Sequence, residues 1–407
     1  MTDRVSSLIH RFQQQQQFSA SYSPLYAALF GTVAKWLNAD VHDPVVKWLV
    51  QSSDGRPAFE VTNLLAAGLH REILIRVEEV DDLAAYYPTV VGESVADTPY
   101  TQSANGIDEI SPRFERALRQ AILARRAVLQ SFIQNNNVQT NETGRGIAWL
   151  LPVWLAGWER VHLLDLGASA GLNLVADQRA YRFVDTDSSQ TLLDLGYGRP
   201  VQFTIQTAGE QWETATKDGC MPHILSRTGC DLRPFRLRTI ADEQTLASYI
   251  WGDQVHRLQR LREGIAALHD VNCTNVPVHL HALNLPGELP AFFKKSITIS
   301  QDPLVIYNTY IKMYLPEKGL ALRAYISQWA EEQQRTVLWV QWEPPKIVAL
   351  ETAAEPEYGW LAWTVDHWFD GRHKQYHVGW VHPHGQHLKL LPGFQQWIAA
   401  AGMPWPG

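Results

Sequence analysis

The chain has little cysteine, no surplus of positive charge and no long apolar run, and each shortage excludes a class of protein. Its three cysteines, Cys220, Cys230 and Cys273, are odd in number and show no C-x-x-C spacing, which argues against a disulfide framework or a thiolate zinc site and fits a reducing compartment. Lysine and arginine total 35 against 42 acids, a formal net charge of −7, so no basic field is available to grip a nucleic-acid backbone. The longest apolar stretch, Ile147 to Trp158, is interrupted by Pro152 and is too short to cross a bilayer as a helix. Residues 1–17 are polar and lack the apolar region of a secretory signal, so the expectation is a soluble, cytoplasmic protein without membrane or nucleic-acid partners.

What is present is enough for a large core. The 407 residues are 45% hydrophobic and 19% charged, as in ordinary folded proteins, and the length favours two domains or one α/β domain with a helical appendage. Residues 1–150 read as helical. Ser23-Pro24 caps a helix with Leu25, Leu29, Val33 and Leu37 on one face, and Asp43-Pro44 opens a short one in the same way. Ser111-Pro112 starts a third, with Phe114, Leu118, Ile122, Leu129 and Phe132 aligned and arginines opposite. The glutamines 13–17 and asparagines 135–137 read as solvated loops.

From residue 151 to about 400 the pattern changes to apolar runs separated by helical stretches, the mark of a parallel sheet with crossover helices. Strands are expected at 161–166, 223–231, 277–282, 303–308 and 336–342, and helices at 171–180, 242–268 and 318–333. Residues 181–221, rich in Asp, Thr, Gly and Gln, read as an insertion or irregular hairpin. Trp360 to Leu391 alternates like antiparallel strands, with turns at Asp370-Gly371 and His384-Gly385. The expected architecture is α/β: a Rossmann-like, doubly wound, mostly parallel sheet with an antiparallel C-terminal edge, behind an N-terminal helical domain.

The sharpest local feature is the run from Val161 to Asn173, where an apolar strand ends on Asp165, turns through Gly167, Ser169 and Gly171 and enters a helix. Small residues there let a ligand approach the backbone, and the helix start offers unpaired N–H groups. This run resembles the first motif of the class I S-adenosylmethionine-dependent methyltransferases, although Ser169 stands where many members have glycine. The resemblance implies that Asp165, Gly167, Ser169, Gly171 and Asn173 hold the methionine and sugar of S-adenosylmethionine. It further implies that Asp231, in Cys230-Asp231-Leu232, accepts the ribose hydroxyls, and that His281 or Asn284, in His281-Ala282-Leu283-Asn284-Leu285-Pro286, lies at the adenine. Tyr307-Asn308-Thr309-Tyr310 would leave the fourth strand where substrate and methyl group meet.

The overall arrangement is also similar to an uncharacterised bacterial family with a methyltransferase-like core. That likeness is carried by Gln139-Thr140-Asn141-Glu142 with Arg145, the glycine turn, Cys230-Asp231-Leu232, Tyr249-Ile250-Trp251 with Arg257, and Pro383-His384-Gly385. Asn141, Arg145 and Asn308 are candidate substrate contacts, and Glu142, Tyr310 and His384 candidate general bases. The helical domain would then serve as a lid or substrate-recognition domain, and the reaction would be methyl transfer to an oxygen or nitrogen of a small-molecule or protein acceptor, a small molecule being the expected partner.

Two other classes fit the same residues. A non-catalytic binding or regulatory module would keep the fold without the chemistry. Gly167-Ala168-Ser169-Ala170-Gly171 also satisfies the G-x-S-x-G elbow of serine hydrolases, with Ser169 as nucleophile, Asp302 or Asp366 as acid and His384 as base. Six histidines, His367, His373, His377, His382, His384 and His387, crowd the C-terminal strands; edge-strand surface residues are the preferred reading over a metal site. Trp149, Trp154, Trp158, Trp360 and Trp363 are expected to fill the core.

Overall fold

The computed structural model describes residues 2–92, 98–102, 108–139, 141–196, 201–209, 221–297, 300–348, 354–357 and 359–401. Cys220 and Thr140 lie outside the described residues, as does part of the expected insertion, 197–200 and 210–220. The chain divides into two compact units, one of residues 1–141 with 237–262 and the other of 142–236 with 263–407.

The first unit is built on helices Pro24–Ala39, Ala58–Leu74 and Pro112–Asn135. Ser23 caps the first of these by accepting from the Tyr26 N–H, and Asp43 accepts from Val45 and Val46 to start Pro44–Ser52. The aligned apolar faces supply its core: Leu25, Leu29, Val33, Leu37, Phe114, Leu118, Ile122 and Leu129 are all buried. Gln13 to Gln17 is not a loop but part of helix Thr2–Ser19, because Val5, Leu8 and Phe12 bury one face of that helix and the glutamines continue it. Residues 237–262 are tied into the same unit. Trp251 stacks between Tyr22 and Tyr26, with ring centroids 5.2 and 4.8 Å away, and Ser23 donates to Asp253. Strands β1 (Tyr100–Gln102) and β2 (Asp108–Ile110) form a small antiparallel pair.

The second unit is a mixed α/β structure around an 11-stranded, mostly parallel sheet. Its strands are β3 (Arg160–Leu166), β4 (Tyr181–Asp185), β5 (Thr191–Leu195), β6 (Phe203–Gly209), β7 (His223–Asp231), β8 (Val278–Ala282), β9 (Leu304–Thr309), β10 (Val337–Glu343), β11 (Leu361–Phe369), β12 (Arg372–Val381) and β13 (His387–Leu390). They lie in the order β5-β4-β6-β13-β12-β11-β10-β9-β3-β7-β8. Strands β8, β7, β3, β9 and β10 are parallel throughout and match the five runs expected from the apolar pattern. Alternate residues feed opposite faces: Leu163, Val305, Tyr307, Leu338 and Val340 pack with helix Ile147–Leu155, while Leu164, Leu166, Ile306 and Trp339 pack with Phe292, Leu322 and Ile326.

In the described part of 181–221, β4 and β5 form an irregular antiparallel hairpin with a register shift between Phe183 and Val184, and β6 pairs in parallel with β4 and with β13. The C-terminal meander is therefore interior, flanked by β10 on one side and β6 on the other, and is not the edge of the sheet. His367 accordingly is 3% exposed, and burial lowers its pKa to about 4. The turn at Asp370-Gly371 forms as expected, both residues having positive φ, +49° and +69°. Trp149, Trp339, Trp342, Trp363, Trp368, Trp380 and Trp397 all lie in the buried core. Among the described residues no helix is long and apolar enough to cross a membrane.

Candidate functional site

Strand β3 is the third strand in from the β8 edge of the sheet and ends beside two neighbours, β7 and β9, from which the chain continues outward to β8 on one side and to β10 on the other. Such a switch point leaves a crevice at the carboxyl ends of the strands. Here the chain turns through Gly167, Ser169 and Gly171 at φ +90°, +48° and +78°. Gly167 and Ala168 donate to the Cys230 carbonyl at 2.7 and 3.0 Å. Asp231 then holds the turn, its two carboxylate oxygens accepting from Ser169 N and Arg233 N at 2.9 Å each. This bond stabilises the left-handed conformation at Ser169, a non-glycine residue. Gly167 has a steric reason as well, since a Cβ there would lie 2.2 Å from Ile311 Cγ2.

Asp165 is 3% exposed, and burial, with a smaller push from Asp231, raises its pKa to about 8 although the Tyr307 hydroxyl pulls it down. No cation pairs with it among the described residues.

A second wall is the 3-10 turn Thr143–Gly146. Glu142 begins it, accepting from Gly144 N at 3.5 Å and, through its other oxygen, from His384 Nδ1 at 3.1 Å. The two residues are 242 apart in sequence and meet because two glycines permit close contact: a Cβ on Gly144 would be 2.9 Å from the His384 carbonyl, and one on Gly385 3.0 Å from the Gly144 carbonyl. Arg145 Nε donates to the Pro383 carbonyl at 2.9 Å, and its guanidinium lies 5.8 Å from the Tyr310 ring centroid. Gly146 packs on Asn173, whose carbonyl accepts from Trp149 Nε1 at 2.8 Å and whose side-chain Oδ1 is buried without a partner. Tyr310 is itself held at φ +64° by a bond from its N–H to the Trp342 carbonyl.

Contacts join these residues in groups: Ser169 with Asp231, Glu142 with His384, Arg145 with the Tyr310 ring, and Asn173 with Gly146. Asn141, the last residue of the first unit, is buried with Nδ2 unpartnered. Three of the sequence candidates are elsewhere. Asn308 lies beneath the crevice with both ends of its amide used, donating to Glu343 at 2.6 Å and accepting from Trp339 Nε1 at 2.7 Å. His281 packs edge-on against Phe292 and lines a different cavity. Asn284 is exposed, its N–H donating to Glu288. The hydrolase acids are engaged apart from His384, Asp302 with Arg160 and Asp366 with Arg323. Among the described residues no three His, Cys, Asp or Glu side chains converge as a metal site.

Sequence reasoning missed Lys312 and Glu343. Glu343 is fully buried at the end of β10 and accepts from the Ile311 and Lys312 N–H groups at 3.0 and 3.2 Å. Lys312 is 2% exposed, and burial lowers its pKa to about 8 against the upward pull of Glu343. A lone carboxylate closing the apolar run Val337 to Trp342 was the available signal.

The chain belongs to a bacterial family, the uncharacterised proteins conserved in bacteria termed DUF2332, whose family model matches residues 9–389. No curated protein and no solved structure matches it.

Proposed function

We propose that the second unit is a class I methyltransferase-like domain that binds S-adenosylmethionine in the crevice above β3 and transfers its methyl group to an oxygen or nitrogen of a small-molecule or protein acceptor. The observation that carries this reading is the coincidence of the glycine turn with the switch point between β7-β3 and β9; with β4, β5 and β6 set aside at the far end of the sheet, the five parallel strands β8-β7-β3-β9-β10 read third, second, first, fourth, fifth. The donor set suits the ligand. Asp165 is a buried carboxyl without a cation, complementary to an ammonium or sulfonium group, and Asn173 Oδ1 is a buried acceptor awaiting a donor. Asp231 keeps further lone pairs beyond the two that brace the turn.

S-adenosylmethionine held there supplies an electrophilic methyl group on a sulfonium. The residues of the chain contribute position and proton transfer. Glu142 accepts from His384 Nδ1, which leaves Nε2 as the lone-pair nitrogen and so makes His384 the candidate base for an acceptor that must lose a proton. Arg145, fixed by the Pro383 carbonyl and facing Tyr310, presents a positive group beside the acceptor site and would orient an anionic or polar substrate. The first unit is assigned the role of lid or acceptor-recognition domain.

Incubating the full chain with isotopically labelled S-adenosylmethionine and fractionated bacterial metabolites and proteins tests the transfer. Label should pass to an acceptor, and His384→Gln and Glu142→Gln should each lower kcat by about 10²-fold or more while cofactor binding persists. Cofactor binding without transfer to any fraction would favour the non-catalytic module. Labelling of Ser169 by a fluorophosphonate would instead support the hydrolase.

A further inference from the structure

The second unit contains another polar cavity, of about 380 Å³, toward the amino-terminal half of the sheet. Its floor is one face of three adjacent strands. His162 on β3 is paired with Ser226 on β7, and two residues further along β7 Thr228 is paired with His279 on β8; His281 follows on the same face. Arg335, just before β10, and Leu304, at the start of β9, close one end, and Ile297 closes another.

Two side chains in this cavity are buried more than nine-tenths and each keeps one buried nitrogen without a hydrogen-bond partner. Arg335 is 5% exposed and its Nη1 makes no hydrogen bond. His162 is 7% exposed; its Nδ1 lies 2.8 Å from the Ser226 hydroxyl, while its Nε2 is buried and unbonded. With the serine hydroxyl donating to Nδ1, Nε2 carries the hydrogen and is a donor. Buried donors are nearly always paired, and an unpaired guanidinium N–H is among the costliest exceptions. No carboxylate pairs with Arg335 among the described residues, and the nearby Asp302 is occupied by Arg160 at 3.2 Å. Arg236 and Lys295 add positive field at His281. The cavity is therefore a set of convergent donors under positive potential, of a size at the lower end for small-molecule sites.

The geometry points to a second ligand site in which Arg335 and His162 bind the phosphate group of a small molecule, either inorganic phosphate or a small phosphate monoester. Ser226 fixes the His162 tautomer, Arg335 supplies the permanent charge, and His279 with His281 extends the same strand face across β8. This inference is independent of methyl transfer, because none of Arg335, His162 and Ser226 touches the crevice above β3.

Calorimetric titration of the full chain with inorganic phosphate and with glycerol 3-phosphate, using acetate as a carboxylate comparison, tests it. Phosphate or its ester should bind with a Kd at or below the millimolar range, and Arg335→Met and His162→Phe, shown folded by circular dichroism, should each weaken binding at least tenfold. An ester binding tenfold more tightly than phosphate identifies an organic ligand, and equal binding identifies phosphate itself; both sustain the site. Nitrogen-detected NMR of the wild type provides a second reading that needs no variant, since the His162 Nε2 resonance should shift on phosphate addition. Absence of phosphate binding by the wild type at 10 mM, about tenfold above the millimolar ceiling, an unmoved His162 resonance, or undiminished binding by folded Arg335→Met would overturn it.

Discussion

Burial without a cation keeps the Asp165 carboxyl protonated to about pH 8. In the unfolded chain the same group ionises near pH 4, so between these values the native state holds a proton that unfolding releases. Stability contributed at low pH is therefore lost as pH rises through this window. Asp165→Asn should flatten that decline, by about 4 kcal/mol between pH 5 and pH 8, in thermal melts across the range; an unchanged slope would show that Asp165 is not protonated in the fold. A cationic ligand should reverse the preference and release the proton, so that its affinity rises as pH approaches 8. Lys312 behaves in the opposite sense. Its folded pKa is depressed to about 8, so the unfolded chain binds more protons up to its ordinary value near 10.5, and stability rises with pH over that interval. Lys312→Met should remove the rise. These two residues differ in how far they could be read in advance. Asp165 ends a strand before a glycine turn and was legible from the local pattern, whereas the environment of Lys312 depends on Glu343, 31 residues away, through contacts that no local spacing encodes.

The elements show the same division. The five parallel strands were legible within one or two residues because a strand buried on both faces must be almost wholly apolar, as in Leu304 to Tyr307 and Val337 to Val340. Strands β4, β5 and β6 were not, since Arg182, Asp194 and Thr204 take their outward positions and leave no continuous apolar run like those of the other five, and Arg182 pairs with Asp194 across the hairpin at 2.9 Å. The union of β6 with β13 brings together residues that lie far apart in sequence, for which neither strand carries a signal of its own. Gly209 tests that union. It sits at φ +88° opposite Leu390, and an added Cβ would lie 2.2 Å from the Leu390 carbonyl oxygen. Gly209→Ala should destabilise the second unit by about 2 kcal/mol, seen as a lowered denaturant midpoint, and should speed amide exchange in β13 more than in β3. A neutral substitution would mean that the strands are not paired in this register.

At the scale of the whole molecule, the two units draw on interleaved parts of the sequence. The helical unit incorporates residues 237–262, including Trp251 between its tyrosines, so its boundary is set by packing rather than by order along the chain. The second unit carries both candidate ligand sites, one above the carboxyl ends of β3, β7 and β9 and one on the face that bears His162. A ligand that binds only the folded second unit should raise its melting temperature by mass action, at a hundredfold excess over Kd by about 2.7 kcal/mol of stability. Phosphate and S-adenosylmethionine should therefore stabilise additively if their sites are separate.

The central claim is cofactor binding at the glycine turn, and calorimetry of S-adenosylmethionine and its demethylated product against the wild type, Asp165→Ala and Asp231→Ala tests it most directly. Binding to the wild type is expected in the micromolar range, lost in both variants while their circular dichroism stays native. A well-folded wild type that binds neither compound would contradict it.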